Sequence, residues 1–251
     1  MLTRKQLVTK LLKGIETGDP ESVAVVNESQ YIQHNPLTRT GNEGLAELFA
    51  RLAKTNPRVE IVRVFQDGDF VFAHTDYDFN EVEVGFEVFR FEGDQIVEHW
   101  DNLQSKPERL NPSGRSMLDG PTEVGDLHRT ESNKALVRRF VEDVLLKGKC
   151  DQIDRFVSAE SYLEHNPTMS DGLEPLKQAL SEGTERRRYE TVHRVLGEGN
   201  FVLGVSEGFL DEVHVSFYDM FRIDDGKIVE HWDTLDEVPP REQWVNDNGK
   251  F

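Results

Sequence analysis

Two polar motifs recur at nearly the same interval in this sequence, and this repeat constrains the fold more than any other feature. Tyr31-Ile-Gln-His-Asn-Pro36 returns as Tyr162-Leu-Glu-His-Asn-Pro167, and Ile96-Val-Glu-His-Trp-Asp101 returns unchanged as Ile228-Val-Glu-His-Trp-Asp233. The displacements are 131 and 132 positions (165 − 34 and 231 − 99). Two motifs that repeat at one interval indicate a duplicated domain. The residues kept in both copies are polar and titratable, which points to a chemical or binding role.

The chain of 251 residues is therefore expected to form two domains. Copies of about 125 residues are near the commonest domain size and can each bury a core. A Pro- and Gly-rich stretch follows the first copy, which is typical of a linker. We predict a first domain over 1–106, a linker over 107–130, a second domain over 131–236 and a tail over 237–251.

Charge and cysteine content narrow the class of protein. The net charge of −18 argues against binding to nucleic acid or to an anionic membrane, because both need clustered Lys and Arg. Cys150 is the sole cysteine, so the chain can form no internal disulfide and no cysteine-cluster zinc site. A lone thiol, together with the lack of an apolar stretch at the N-terminus, favours a cytoplasmic location.

The hydrophobic pattern predicts an α+β fold in each half. Apolar residues recur first at helical spacing and then with the period of two that strands show. Gly-Asp and Asp-Gly pairs between the period-two segments indicate hairpin turns. The predicted helices are 3–18, 42–54, 131–147 and 172–182, and the predicted strands are 58–66, 69–79, 82–92, 95–103, 187–197, 200–210, 213–224 and 227–235.

Taken together, the His-Asn-Pro and Glu-His-Trp-Asp elements in both halves resemble the SnoaL-like group of the NTF2-like superfamily. The resemblance implies two tandem cone-shaped α+β barrels, each with N-terminal helices and a curved antiparallel sheet around a pocket. It also implies kinship with polyketide cyclases, which perform aldol condensations without metal or organic cofactor and use a pocket carboxylate as the base. Because NTF2-like domains often pair through their sheets, we expect the copies to dock as an intramolecular pseudo-dimer.

Strand alternation divides the second motif between two faces. Side chains two positions apart share a face, so His99 and Asp101 point one way and Trp100 points the other. We assign the His99 and Asp101 face to the pocket, and the face of Trp100 to packing. The opposite assignment, with Glu98 and Trp100 inside, stays open on the sequence alone.

A buried carboxylate next to hydrogen-bond donors suits proton abstraction from a carbon beside a carbonyl group. Burial raises the pKa of a carboxylate, and a nearby imidazole or amide can stabilise the enolate oxygen. The candidate catalytic residues are Asp101, His34, His99 and His74, with Asp233, His165 and His231 in the second copy. The candidate ligand-binding residues are Tyr31, Asn35, Trp100, Phe72, Phe89, Tyr162, Asn166 and Trp232, and an apolar or ring-containing ligand is expected.

Two other interpretations remain open for these motifs. The His-Asn-Pro corner can simply end a helix, and Asp101 can be a structural partner of His34. A metal site built from His34, His99 and Asp101 is chemically feasible, but no ligand-spacing motif favours it, so we expect no metal.

The copies also differ, because His74 aligns with Val205, which favours the N-terminal pocket as the better equipped one. An enzyme acting on an enolisable carbonyl compound, as an aldol-type cyclase or an isomerase, is the leading hypothesis. A non-catalytic small-molecule binder and a structural module are the alternatives.

Overall fold

Each half of the chain begins with helices and ends with four long strands, in the order that the hydrophobic pattern predicts. The computed structural model describes residues 2–183 and 186–251. Its helices are α1 Arg4–Thr17, α2 Gly41–Leu52, α3 Thr130–Phe140 and α4 Leu173–Gly183, and α3 continues as a π-helical turn over Val141–Leu146. Its strands are β1 Ile32–Gln33, β2 Arg58–Asp67, β3 Phe70–Asp78, β4 Val82–Glu92, β5 Gln95–Ser105, β6 Leu163–Glu164, β7 Arg187–Glu198, β8 Phe201–Leu210, β9 Val213–Asp224 and β10 Lys227–Glu237. Among these described residues, no helix combines the length and the apolar character that crossing a membrane requires.

Helix α1 shows how local sequence sets an element of this fold. Thr3 accepts a hydrogen bond from the Gln6 amide and the Gln6 side chain bonds back to Thr3, so the pair forms a capping box. Gly18 ends the helix with a φ of 66°, a left-handed conformation that costs glycine little. The buried residues of α1, at helical spacing, join the core beneath the sheet; they include Val8, Leu11, Leu12 and Ile15.

Two five-stranded mixed sheets confirm the predicted α+β class and the tandem repeat. The strand orders are β1-β5-β4-β3-β2 and β6-β10-β9-β8-β7, so the second sheet repeats the first. The long strands are antiparallel, as expected, and their bounds lie within about two residues of the prediction. The two-residue strands β1 and β6 were not predicted, and each runs parallel to the last long strand of its sheet.

A β-bulge corrects the predicted faces at the start of β5. The pairing of β4 with β5 shifts register between Arg90 and Phe91, so strict alternation fails there. Strict alternation predicts that Ile96 shares the face of Trp100 and Glu98, but it lies in the core cluster that contains Phe89 and Phe91. From Glu98 onward the pairing is regular, so His99 and Asp101 share a face as predicted.

The chain divides into two units whose boundaries are not simply sequential. One unit, the N-terminal unit, contains Met1–Lys106 and Val238–Phe251, and the other, the C-terminal unit, contains Pro107–Glu237. Residues 107–130, predicted as a linker, are therefore part of the C-terminal unit. The tail is part of the N-terminal unit, so each unit includes the segment that follows the last strand of the other.

Candidate functional site

The short parallel strands bring the two motifs of each copy together. In the N-terminal unit, Gln33 on β1 is in register with His99 on β5, and the His34 amide donates to the His99 carbonyl oxygen at 2.9 Å. Glu164 on β6 is likewise in register with His231, and the His165 amide donates to the His231 carbonyl oxygen. Segments about 65 residues apart thus become neighbouring strands in both units.

Within the N-terminal unit, His99 is the centre of a hydrogen-bond network on the helix-facing side of the sheet. Its Nε2 lies 2.6 Å from Glu87 Oε2, and its Nδ1 lies 3.2 Å from the Gln33 Oε1. Tyr77 donates its hydroxyl to the other oxygen of Glu87 at 2.8 Å. The ring of Phe89 stacks on His99 with centroids 4.5 Å apart. The network fixes the orientation of the imidazole.

Asp101 is held beside this network by an amide and a cation. Asn35 Nδ2 donates to both carboxylate oxygens, at 3.0 and 3.2 Å. Lys250, from the tail, donates to the Asp101 backbone carbonyl at 2.8 Å, and its Nζ lies 3.5 Å from Asp101 Oδ1. Asp101 is only 7% exposed, so few polar contacts with solvent compete with these partners.

The charges around Asp101 and His99 shift their pKa values in opposite directions. Burial opposes ionisation of Asp101, but the positive charges of Lys250 and His99 and the Asn35 hydrogen bond outweigh it and hold the pKa of Asp101 below its ordinary value. Burial also opposes protonation of His99, yet the hydrogen bond to Glu87 and the charges of Glu87 and Asp101 raise its pKa. The ionised form of Asp101 and the protonated form of His99 therefore stabilise each other.

The C-terminal unit builds the same arrangement with a different set of side chains. His231 lies between two carboxylates, with Nδ1 at 2.9 Å from Glu164 Oε1 and Nε2 at 3.1 Å from Asp219 Oδ1. Tyr162 donates to Glu164 at 2.7 Å, and Tyr189 donates to Asp219 at 3.2 Å. Glu164 stands where the N-terminal unit has the neutral Gln33, so this network contains one more carboxylate.

Asp233 takes the position of Asp101 and has a different cation beside it. Asn166 Nδ2 donates to both oxygens of Asp233, at 2.9 and 2.8 Å. Arg187, the first residue of β7, lies 3.4 Å from Asp233 Oδ2, and its side chain is 28% exposed. The guanidinium carries five N–H donors in total, and the contact with Asp233 uses one of them.

In this unit the pKa of the aspartate is shifted in the opposite direction. Burial raises the pKa of Asp233 above its ordinary value, and the charges of Glu164 and Asp219 add to this effect against Arg187 and His231. Burial opposes protonation of His231, but Glu164, Asp219 and Asp233 together raise its pKa well above the usual value. A carboxylate with a raised pKa is a stronger base than Asp101.

The His-Asn-Pro histidines lie on the opposite side of the sheet from these networks, which corrects the predicted contact of His34 with Asp101. His34 stacks on Trp100, with centroids 4.5 Å apart, and its Nε2 lies 2.8 Å from Glu98 Oε1. His165 repeats this with Trp232 and Glu230, at 4.6 Å and 2.9 Å. Asn35 and Asn166, one residue further along the chain, bond the aspartates instead, because successive side chains of an extended strand point to opposite faces.

His74 and Phe72 also lie away from the network of His99 and Asp101. His74 is fully buried, and its Nδ1 lies 3.0 Å from the Arg63 guanidinium. Phe72 packs against Phe65 and Phe86 on the same face. The predicted advantage of the N-terminal pocket rested on His74, and this geometry removes it.

Several site residues escaped the sequence reasoning because no repeat marks them. Glu87 alternates with Phe89 and Phe91 on β4, and a carboxylate within such an apolar face was a detectable signal. Asp219 follows the same logic on β9. Lys250 and Arg187 reach their aspartates from the tail and from β7, and no sequence pattern indicates either contact.

Each network also brings together three groups that could ligate a metal ion, with ligand atoms within 4.8 Å of one another. These groups are Glu87, His99 and Asp101 in one unit and Asp219, His231 and Asp233 in the other. The set considered as an alternative from the sequence, His34, His99 and Asp101, is not assembled, because His34 lies across the sheet.

Comparisons with known proteins find a family model that matches part of the N-terminal unit. Residues 8–99 match the model of the SnoaL-like domain family. No curated protein matches the chain.

Three similar solved structures each cover about one unit. A candidate ketosteroid isomerase from Kribbella flavida has 18% identity, covers 47% of this chain and 91% of its own, and gives a TM-score of 0.40. A candidate polyketide cyclase from Bacillus cereus has 20% identity, covers 40% and 74%, and gives 0.37. An LEH-like epoxide hydrolase from M. tuberculosis has 22% identity, covers 43% and 85%, and gives 0.36.

Proposed function

Because residues 8–99 form a SnoaL-like domain and the second unit repeats its fold, we propose that this chain is an enzyme that abstracts a proton from a small enolisable carbonyl compound. The observation that carries the proposal is Asp233, a buried carboxylate with a raised pKa beside a guanidinium. The C-terminal site is the principal one in this proposal, and the reaction is of the aldol cyclase or isomerase type.

The proposed chemical step needs one base and one oxyanion partner. A carboxylate oxygen of Asp233 takes the proton from the carbon next to the carbonyl, and the C–H electron pair moves to form an enolate. Arg187 donates N–H groups to the enolate oxygen, where negative charge develops. Asp233 then returns the proton to another carbon of the enolate. In the aldol branch the enolate carbon instead attacks a second carbonyl group, and the alkoxide that forms takes the proton from Asp233.

The remaining network positions these two groups. Asn166 holds both oxygens of Asp233 and so fixes the direction from which the carboxylate approaches the substrate. His231, ion-paired with Glu164 and Asp219, supplies a positive charge that limits repulsion among the three carboxylates. Such preorganised support is what a general-base site requires.

Proton exchange with solvent deuterium tests the proposal before the full reaction is known. NMR would follow deuterium incorporation into 2-indanone, 2-tetralone and acetophenone in D₂O. Asp101→Asn serves as the parent chain so that only the C-terminal site contributes. Adding Asp233→Asn is expected to slow exchange by about 10²–10⁴-fold, and adding Arg187→Met by about 10²-fold.

Arg188→Met is the matched control, because Arg188 is the next residue on β7 and carries the same charge. It pairs with Glu190 and is 53% exposed, so its loss should leave the rate unchanged. Exchange no faster than in buffer, or equal rates with and without Asp233, would contradict catalysis. That result would favour the alternative function, a non-catalytic pocket that binds a small apolar molecule.

A further inference from the structure

The motif aspartates of the two units each have a cation beside them, but the cations come from unrelated positions. Lys250 Nζ lies 3.5 Å from Asp101 Oδ1, and Arg187 Nη1 lies 3.4 Å from Asp233 Oδ2. Lys250 belongs to the tail, whereas Arg187 begins a strand of the sheet. The same charge pair is therefore built in two ways.

Neither cation has a charged equivalent in the other unit. His34 Nδ1 contacts the carbonyl oxygen of Gly249, and His165 Nδ1 contacts the carbonyl oxygen of Ser116. Gly249 and Ser116 are therefore equivalent positions, and so are the residues that come next in the chain. They are Lys250 in the N-terminal unit and a buried methionine, Met117, in the C-terminal unit.

The position of Arg187 likewise has an uncharged residue in the other unit. Tyr189 pairs with Gly208 in the C-terminal unit, and Val59 pairs with Tyr77 in the N-terminal unit, so Tyr189 and Val59 occupy equivalent positions. Two residues before them in the chain are Arg187 and Pro57, respectively. The N-terminal unit thus has no equivalent of Arg187 but has Lys250, and the C-terminal unit has no equivalent of Lys250 but has Arg187. A cation at this place is a feature of both sites.

Lys250 does not bury Asp101 more deeply than Asp233 is buried in the C-terminal unit. Asp101 is 7% exposed and Asp233 is 6% exposed, and each unit has a segment at this place, with Lys250 in one and Met117 in the other. The tail therefore differs from its counterpart in the charge that it brings, because the two aspartates are buried to the same extent.

We infer that the N-terminal unit holds a second binding site for an enolate-like oxyanion, and that Lys250 of the tail is its oxyanion-binding residue. The inference rests on the proposed function for the chemical class of the ligand, a small enol, phenol or carbonyl compound. Asp101, held by Asn35, accepts a hydrogen bond from the ligand's hydroxyl group. The ammonium group of Lys250 stabilises the oxygen that carries negative charge.

The number of ligands bound per chain tests this inference without requiring any reaction. The probe is 4-nitrophenol, which resembles an enol and whose absorbance reports its ionisation. The wild-type chain is expected to bind two equivalents. Lys250→Met should weaken one of them by about 10- to 100-fold, the loss expected for a hydrogen bond to a charged group, and Arg187→Met should weaken the other.

Two further variants separate a binding role from a structural one. Lys250→Arg keeps a cation in the site and should retain both equivalents. Lys106→Met removes the same charge from the same unit, where Lys106 pairs with Asp76 at 2.7 Å, and should also leave both unchanged. Circular dichroism and thermal unfolding would show that each variant is folded.

Three results would overturn the inference. These are a wild-type chain that binds fewer than two equivalents, a Lys250→Met chain that still binds two, and a Lys250→Met chain that binds the probe more tightly. The last result would make the tail an inhibitory cover. Two bound equivalents without any deuterium exchange would contradict the proposed reaction while supporting the second site.

Discussion

Asp101 and Asp233 occupy equivalent places in the repeat, yet their surroundings shift their pKa values in opposite directions. Lys250 and His99 favour the ionised form of Asp101, although burial opposes it. Around Asp233, burial and the extra carboxylate Glu164 favour the protonated form. The exchange of Gln33 for Glu164, together with the replacement of Lys250 by Arg187 as the neighbouring cation, therefore gives one repeated residue two different environments.

These shifts predict opposite pH dependences of stability. The lowered pKa of Asp101 adds stability above its unfolded value of about 3.9, which is lost as pH falls through the folded pKa. The raised pKa of Asp233 makes its ionised form cost stability as pH rises from about 3.9 through the folded pKa.

Urea unfolding between pH 3 and pH 8 measures both effects against the neutral variants. The stability of the wild type relative to Asp101→Asn should increase with pH, and its stability relative to Asp233→Asn should decrease. Parallel curves for the two variants would show that the two carboxylates experience the same environment, contrary to the contacts described above.

At the scale of elements, the two sheets place a tyrosine on different members of the same strand pair. Tyr77 on β3 pairs with Val59 on β2 and bonds Glu87. In the second unit the tyrosine is Tyr189 on β7, and its partner on β8 is Gly208. Either strand can deliver a hydroxyl to the carboxylate because directly paired residues lie side by side on one face.

Gly208 permits this arrangement, and its replacement should be costly. A Cβ at Gly208 would lie 2.0 Å from the Arg188 carbonyl oxygen and 3.0 Å from Phe217, so the backbone would have to move. Gly208→Ala should lower the free energy of unfolding by about 1–3 kcal/mol, the usual cost of overpacking.

Gly204 on the same strand provides the control for this prediction. A Cβ there meets Val141 at 3.6 Å and Asp219 at 3.8 Å, which are ordinary contacts. Chemical denaturation should therefore find Gly204→Ala close to wild type, within about 0.5–1 kcal/mol. Equal losses for the two variants would mean that a general intolerance of the strand, and not the contact with Arg188, decides the result.

At the scale of the whole molecule, each His-Asn-Pro corner is bonded by the segment that follows the other copy's last strand. Asn246 of the tail donates to the carbonyl oxygens of Asn35 and Thr38, at 2.8 and 2.9 Å. Asn111 donates to the Glu164 carbonyl oxygen at 2.7 Å. Both amides are buried, so each bond satisfies a carbonyl group that water does not reach easily.

Removing either amide should loosen only one corner. Asn246→Ala removes one donor from each of two carbonyl oxygens and should destabilise the N-terminal unit by roughly 1–3 kcal/mol. Hydrogen–deuterium exchange should then accelerate around residues 33–40 and remain unchanged around 164–171. Asn111→Ala should give the reverse pattern, and faster exchange in both corners of either variant would refute the separate assignment of the segments.

The sequence by itself determined the duplication, the α+β class and nearly all of the long strands and helices. These features depend on local periodicity and on motif spacing, which are visible along a single chain. It also determined that His99 and Asp101 share a face, since alternation on a strand is a local property. The short strands β1 and β6 were missed, because two residues are too few to show a period.

Only the tertiary structure decided which groups surround the aspartates. His34 and His165 were expected to contact them, but β1 and β6 align so that Asn35 and Asn166 do so. Lys250 and Arg187 come from the tail and from a strand start, and such long-range contacts leave no periodic trace in the sequence. The pKa of each aspartate depends on these distant charges and on burial, so the chemistry of the repeated motif was set by folding.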